Sequence, residues 1–453
     1  MGGSSRGTAL FFFILRCIKG QQPTVVFFPE GAYGPTNNCV GIGSVLKSRG
    51  ARVVFVIEES FKDTLAAKGF EEQLMRLKPK PAIDEAPGQF WKDFIRDTAP
   101  EFQRSALEQV ETLIKPIWSE LIDGSMYVND RLKVIFQEVR PDVIVQDNVV
   151  AFPAVLTAGV PWVRIVSCNP LEVKDSALPP TFSGLSSGDS HDWDRFRRAY
   201  ADAHAELHEA FGRFTRDQGC PPLPGGEFMY ESPFLNLYNY PDELDYRRSR
   251  PLNHTWQELQ SCVRTTDAPF ELPPSIGGTG KLIYLSLGSL GSADTELMGR
   301  VIDVLGRTDH RIIVSMGPQH QKLHLHENMI GEEFVPQTSV LPLVDLVITH
   351  GGNNTVTESL YFGKPMVVLP LFWDQHDNAQ RVQETGFGVR LDPYRFRDED
   401  LLGWVDRLIA DQGLAGRLQT MARRLQATPG TVQAAEMIET VAQRGSPIPN
   451  LRA

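Results

Sequence analysis

One stretch of the chain holds residue types that could bind an anion. The apolar segment LVDLVIT (343–349) is followed by a histidine and a glycine pair, and then by small polar residues where a helix is predicted to begin. A buried strand, a glycine turn and a helix in this order aim backbone N–H groups and the positive helix end at an anion beyond the strand. The candidate partners of the anion are His350, Gly352, Asn354, Thr355 and, in the LSLGS turn after another predicted strand, Ser289.

Further polar and aromatic residues lie on both sides of this turn. Those before it are Phe334, Val335 and Gln337, and those after the next apolar run, PMVVLP (365–370), are Trp373, Asp374 and Gln375. Glu358 lies about one turn into the predicted helix, where its carboxylate could accept hydrogen bonds from ribose hydroxyls. Anion donors beside a group that can accept from ribose hydroxyls are compatible with a bound nucleotide.

The whole stretch 334–378 resembles the donor-binding signature of family 1 glycosyltransferases, the UDP-glycosyltransferases. Phe334 replaces the usual tryptophan and the segment 334–350 is short, both of which are similar to bacterial macrolide- and antibiotic-type members. The resemblance implies that Phe334, Val335, Gln337 and Glu358 bind the nucleoside and that His350 and its neighbours bind the diphosphate. It also implies that Trp373, Asp374 and Gln375 bind the sugar, with UDP-glucose as the donor.

Predicted strands and helices alternate along the chain, which is typical of parallel α/β sheets. The segment PFELPPSIGGTG (269–280) is the best linker candidate, so we predict an acceptor-binding domain at 23–268 and a nucleotide-sugar domain at 281–430. An extension (1–22) precedes them, and the resemblance predicts that a helix and tail (431–453) pack back on the first domain. The family fold is GT-B, in which two Rossmann-like domains face each other across a cleft. Helices are expected at 89–122 and 130–139, and a mobile loop at 179–194.

The loop after the first predicted strand lacks the histidine that is the usual catalytic base of the family. Where Gly-His-x-x-Pro is expected, the chain has the acceptor-loop residues Gly34, Pro35, Thr36 and Asn37, with Pro35 at the place of the histidine. Asp147, after the predicted strand 142–146, matches the carboxylate that normally orients that histidine. We predict Asp147 as the base, directly or through water near Thr36 or Asn37; the alternative is a helix N-cap. Since an ordinary carboxylate has a pKa of about 3.9, burial or an acidic acceptor must assist it.

These observations predict inverting, metal-independent transfer of glucose from UDP-glucose to a small hydrophobic aglycone, preferably a phenol, as in detoxification. No cofactor is expected, and the acidic run 398–400 is interpreted as the first turn of a helix rather than a metal site. The missing histidine leaves open a weak or inactive nucleotide-sugar-binding protein. A nucleotide-sugar epimerase of similar architecture is a further alternative, although it would not need the Asp374–Gln375 pair.

Composition excludes other classes of function. A formal net charge of −11 argues against a nucleic-acid or anionic-membrane surface. The five cysteines are scattered without a CxxC pair, which indicates reduced thiols and a cytoplasmic location. The run ALFFFILRCI (9–18) is too short to span a bilayer and contains Arg16, so no stable membrane anchor is expected, although a signal peptide remains an alternative.

Overall fold

A computed structural model describes residues 22–80, 97–274 and 276–447 of the chain. Its strands form two separate sheets, and every strand pairing among the described residues is parallel. The predicted α/β class with two parallel Rossmann-like sheets is therefore confirmed. The apolar run at 9–18 and the first part of the helix predicted at 89–122 lie outside the described residues.

The first sheet has the strand order β3-β2-β1-β4-β5-β6-β7 within the described residues. Its strands are β1 (Thr24–Pro29), β2 (Arg52–Glu58), β3 (Glu71–Met75), β4 (Val143–Asp147), β5 (Trp162–Val166), β6 (Leu235–Tyr238) and β7 (Trp256–Glu258). The helices among them are α1 (Tyr33–Ser48), α2 (Lys115–Val139) and α3 (Trp193–Asp217). Strand β1 is central, and its apolar run is buried on both faces, as parallel strands require.

Alternate residues of β1 enter two different cores. Val26 and Phe28 pack in a core that includes residues of α2, whereas Val25 and Phe27 pack in a second core with α1. This division follows from the strand period of two, which sends successive side chains to opposite faces.

The second sheet has the strand order β10-β9-β8-β11-β12-β13. Its strands are β8 (Leu282–Ser286), β9 (Arg311–Ser315), β10 (Met329–Glu332), β11 (Leu346–Thr349), β12 (Met366–Val368) and β13 (Gly388–Arg390). Its helices are α4 (Thr295–Leu305), α5 (Asn353–Tyr361), α6 (Gln375–Glu384), α7 (Asp398–Ala410) and α8 (Gln412–Ala427). A last helix, α9 (Gly430–Arg444), packs against α1, and its Ala434 and Ile438 belong to the same core as Val25 and Phe27.

Several predicted elements differ from the structure. The helices predicted at 89–122 and 130–139 are one run from Ala106 to Val139, which passes through a π-helical turn at Val110–Ile114. Strands β3, β6, β7 and β10 were not predicted, because short strands without clear alternation carry little local signal. Helix α6 begins at Gln375, so this predicted sugar-binding residue lies in its first turn.

The segment 179–194, predicted as a mobile loop, is held in place at its first part. The backbone N–H groups of Phe182 and Gly184 donate to the two carboxylate oxygens of Asp377 in α6, at 2.6 and 2.8 Å. Both donors belong to the first half of the chain and the acceptor belongs to the second half. The loop therefore connects the two halves through these hydrogen bonds. Among the described helices, none is long and apolar enough to cross a membrane.

Candidate active site

The carboxyl ends of the two sheets meet each other. Asn354, in the first turn of α5, donates to the carbonyl of Gly34 at 2.9 Å and accepts from the Asn38 amide at 3.0 Å, both in α1. Asn169, after β5, donates its backbone N–H to the Asp374 carboxylate at 2.9 Å. Since ligands of parallel α/β sheets bind beyond the carboxyl ends of the strands, this junction is the candidate site.

His350 occupies a narrow slot between two backbone turns. A Cβ atom added to Gly288, after β8, would lie 2.6 Å from its ring, and one added to Gly352 would lie 2.5 Å from Nε2. Burial lowers the pKa of His350 to about 4, so the ring is neutral at pH 7 and offers an uncharged N–H donor. Gly352 is the N-cap of α5 and has no capping side chain, which leaves N–H groups of the first turn for a ligand.

The close fit of His350 against Gly288 gives a testable expectation. Gly288 has φ +73°, a conformation that L side chains rarely adopt, so Gly288→Ala combines backbone strain with a clash on the imidazole. We expect its turnover to fall by about ten-fold or more, because a displaced ring could no longer donate to the diphosphate as predicted. The matched control is Gly299→Ala in α4, where an added Cβ meets no atom within 4 Å. Equal turnover of the two variants in a coupled UDP-release assay would contradict the assigned position of His350.

Among the residues predicted to bind the nucleoside, Gln337 and Glu358 are hydrogen-bonded to each other, and both carboxylate oxygens of Glu358 already accept hydrogen bonds from the protein. Gln337 donates from Nε2 to Thr355 Oγ1 at 3.3 Å and to Glu358 Oε2 at 2.6 Å. The other oxygen of Glu358 accepts from Arg264 at 2.6 Å, and only 3% of the residue is exposed. Burial raises the pKa of Glu358, while Arg264 opposes the rise. A ribose would therefore have to share or displace these partners.

Two exposed aromatic rings face each other at the edge of the junction. Phe334 is 45% exposed and Tyr33, the first residue of α1, is 48% exposed. Their ring centroids lie 5.7 Å apart with a 43° tilt between planes. Val335, by contrast, packs against the core and is only partly exposed. The exposed face of Phe334 is compatible with stacking on a base.

The residues predicted to bind the sugar form the contact between the two halves. Asp374 is 8% exposed, and its Oδ2 also accepts from Asn378 at 3.3 Å; burial raises its pKa to about 7. Gln375 Oε1 accepts from the backbone N–H groups of Leu371 and Phe372 at 3.0 and 3.3 Å.

The Trp373 ring packs on Phe182 and Trp118 of the first half, with centroids 4.1 and 5.3 Å apart. The three residues lie together, with the carboxylate of Asp374 and the amide oxygen of Gln375 already accepting protein hydrogen bonds.

The predicted acceptor-loop residues form the first turn of α1 rather than a loop. Gly34 and Pro35 are partly exposed there, and Asn37 is too. Thr36 is buried and donates its hydroxyl to the backbone carbonyl of Glu30 at 3.3 Å. Ser289, on the opposite side, is partly exposed and lies in a short helical turn at Gly288–Gly291.

Asp147, the predicted base, is the last residue of β4 and is 3% exposed. Its Oδ1 accepts from the Ser167 hydroxyl at 2.6 Å, whereas Oδ2 is buried without a partner among the described residues. Burial raises the pKa of Asp147 well above its ordinary value. The alternative role as a helix N-cap is wrong, because the next helix, Pro153–Leu156, has Phe152 as its N-cap.

Comparison with known proteins extends these observations. The family model of UDP-glucoronosyl and UDP-glucosyl transferase matches residues 243–422, which include the whole predicted donor stretch. The chain is 24% identical to demethyllactenocin mycarosyltransferase of Streptomyces fradiae over 92% of this chain and 86% of the relative. It is 27% identical to an uncharacterized UDP-glucosyltransferase, YojK, of Bacillus subtilis (strain 168) over 91% of this chain and 96% of the relative.

The chain belongs to the UDP-glycosyltransferase family. This glycosyltransferase also shares its fold with the glycotransferase of kitacinnamycin, at a TM-score of 0.68 and 21% identity over 94% of this chain and 100% of that one. The predicted GT-B architecture is thus confirmed. The enzyme transfers a glycosyl group from a nucleotide sugar to a small acceptor.

Two groups in the site of this glycosyltransferase were not predicted. Arg264, which binds Glu358, could not be identified from a local sequence pattern, because the two residues are far apart in the sequence. Glu30 could have been identified, because it is a charged residue directly after a buried strand, where α/β enzymes place ligand-binding groups. Among the described residues, no group of three or more His, Cys, Asp or Glu is placed to hold a metal ion.

Proposed function

We propose that this glycosyltransferase transfers glucose from UDP-glucose to a hydroxyl of a small hydrophobic acceptor, preferably a phenol, with inversion and without a metal. The observation that carries the proposal is the slot between β8 and β11. There a neutral His350 lies against Gly352, the N-cap of α5, whose first turn has no capping side chain. Neutral donors of this kind can stabilise the diphosphate as it leaves.

The other roles follow from position around that point. We assign the nucleoside to Phe334, Val335, Gln337 and Glu358, the diphosphate to His350, Gly352, Asn354, Thr355 and Ser289, and the sugar to Trp373, Asp374 and Gln375. Because Asn354 and Asp374 contact the first half of the chain, donor binding requires these contacts to rearrange. Attack by the acceptor in one in-line displacement would give a β-glucoside from an α-linked donor.

A hydrophobic acceptor is supported by aromatic residues beside the predicted sugar residues. Trp118 lies 4.7 Å from Phe228 and 5.3 Å from Trp373 between ring centroids. Trp118 and Phe228 belong to the half of the chain that does not carry the donor motif, so they are placed to form an acceptor wall. Part of the wall predicted from the sequence, around residue 90, lies outside the described residues. The free thiols of Cys39, Cys168, Cys220 and Cys262 suit the cytoplasm, where we propose the enzyme acts.

Donor choice is the direct test of this proposal. Equal concentrations of UDP-glucose, UDP-galactose, UDP-glucuronate and dTDP-glucose are offered with a panel of phenols and macrolides, and glycosides are quantified by mass spectrometry. We expect UDP-glucose products to exceed each of the others by about ten-fold or more, because one mismatched buried polar contact costs about 1–3 kcal/mol. Preference for dTDP-glucose or UDP-glucuronate would contradict the assignment.

A nucleotide-sugar-binding protein with little activity is the second candidate. It is favoured by the engaged state of Glu358, whose two oxygens both accept hydrogen bonds from the chain itself. The same experiment separates the two, since such a protein would bind UDP-glucose in calorimetry and release no UDP with any acceptor. A nucleotide-sugar epimerase would instead convert UDP-glucose without an acceptor.

A further inference from the structure

Glu30 and Asp147 lie side by side at the carboxyl ends of the two central strands of the first sheet. Strand β1 pairs with β4 so that Pro29 is opposite Asp147. The next residue, Glu30, donates its backbone N–H to the carbonyl of Asp147 at 2.8 Å. This is the sheet edge where ligands of α/β proteins bind, and helix α1, which contacts the donor half through Gly34, begins three residues later.

The two carboxyl groups differ in access. Asp147 is buried, its Oδ1 accepts from Ser167, and its Oδ2 is enclosed without a partner in the part of the chain that the structure describes. Glu30 is partly exposed, and its carboxylate makes no hydrogen bond or ion pair with any described residue. Of the pair, only Glu30 is therefore free to meet an acceptor hydroxyl without movement of the core.

We propose that Glu30 takes the proton of the acceptor. The inference rests on the proposed transfer to a hydroxyl. In the step, the acceptor oxygen forms a bond to the anomeric carbon while the bond from that carbon to the diphosphate breaks. The bonding electrons leave with UDP, and the acceptor proton moves to the Glu30 carboxylate, which later releases it to water.

The charges around Glu30 suit a base. It faces Glu58 at the end of β2, Asp147 at the end of β4 and Glu172 after β5, where Glu172 is paired with Arg164 at 2.6 Å. Burial, together with Glu172 and Glu58, raises the pKa of Glu30 to about 7.

The raised pKa of Glu30 predicts the direction in which the transfer rate changes with pH. A base acts in its deprotonated form, so kcat/KM for an alcohol should rise as the pH rises through about 7 and then level off. His350 does not produce this limb, since its pKa is lowered to about 4. The pKa values of Asp374 and Asp377 are also raised to about 7, so the limb must be assigned by mutation.

The test compares Glu30→Gln, Asp147→Asn and wild type on two acceptors, benzyl alcohol and 4-nitrophenol, with UDP-glucose. We expect Glu30→Gln to lower kcat/KM for benzyl alcohol by about 10²- to 10⁴-fold and to remove the pH limb. For 4-nitrophenol, which loses its proton unaided near neutral pH, the loss should stay below about ten-fold. Asp147→Asn should affect the two acceptors to a similar degree, because its carboxyl group is enclosed and does not meet the acceptor.

Two controls separate catalysis from structure. Glu206→Gln, an exposed position on α3, should leave both rates unchanged. UDP affinity, measured by calorimetry, should be the same in Glu30→Gln and wild type, since the donor residues belong to the other sheet.

Transfer to benzyl alcohol by Glu30→Gln at the wild-type rate, or equal losses on both acceptors, would overturn the inference while leaving the proposed function intact. Absence of any glycoside from the wild-type enzyme would instead overturn both proposals.

Discussion

His350→Ala is expected to lower kcat for glycosyl transfer by about 10²- to 10³-fold, the loss typical of removing one donor to a developing negative charge. The imidazole is held between Gly288 and Gly352, so no other side chain of the slot can take its place easily. Burial has lowered its pKa to about 4, so its neutral N–H persists above about pH 5 and the loss should be nearly independent of pH there. Initial rates at saturating UDP-glucose measure it.

The control for this variant is His191→Ala, at an imidazole whose side chain is largely exposed, which should keep the wild-type rate. A chelator is expected to change neither enzyme, because the proposed diphosphate donors are groups of the chain. Activity that is lost with chelator and restored by Mg²⁺ or Mn²⁺ would contradict the metal-independent mechanism. A kcat for His350→Ala within about three-fold of wild type would contradict the role of His350 itself.

Arg264→Ala is expected to lower the free energy of unfolding by about 3–5 kcal/mol, because it leaves a buried carboxylate without its partner. Arg264 binds both Glu358 and Asp267, at 2.6 and 2.8 Å, and the side chains of all three are largely buried. The midpoint of urea unfolding, followed by fluorescence, measures the change. Since the protein has two sheets and two cores, the value applies to the transition that reports on this ion pair.

The pH dependence of the Arg264 effect has a definite sign. Burial already raises the pKa of Glu358, and removal of Arg264 removes the charge that opposes the rise. The unpaired carboxylate is therefore costly when it is ionised and less so when it is protonated, so the deficit should shrink as the pH falls. The double variant Arg264→Ala/Glu358→Gln should recover part of the loss, and Arg131→Ala, at an exposed position on α2, should stay within about 0.5 kcal/mol of wild type. An Arg264→Ala midpoint equal to that of wild type would show that the ion pair does not stabilise the fold.

The donor stretch could be predicted because its signal is local. A strand, a glycine turn and a helix follow one another without a gap. The backbone geometry of the slot around His350 depends on its neighbours in the sequence and on glycine residues. The order of the flanking motifs then places Gln337, Thr355 and Glu358 within hydrogen-bond distance of one another. Local patterns of this kind are sufficient for identifying the family and the fold.

The partners of these residues could not be predicted, since they come from distant parts of the chain. Asn354 was expected at the diphosphate, but its amide bonds Gly34 and Asn38, more than three hundred positions away. The hydrogen bonds of Asp374 with Asn169 and of Glu358 with Arg264 also join residues that are far apart in the sequence. The short strands β6 and β7 likewise depend on pairing, β6 with β5 and β7 with β6, rather than on their own pattern.

The late position of helix α9 in the sequence affects how the first domain folds during translation. It covers the face of the first sheet that carries Val25 and Phe27, and Glu436 and Glu439 pair with Arg49 of α1, each at 3.0 Å. All strands of that sheet have been translated by Glu258, yet α9 begins only at Gly430. At about 5–20 residues per second, the intervening chain takes roughly ten to thirty seconds to synthesise. Throughout that interval the nascent first domain displays an apolar groove, which makes it a client for chaperones until its final helix emerges.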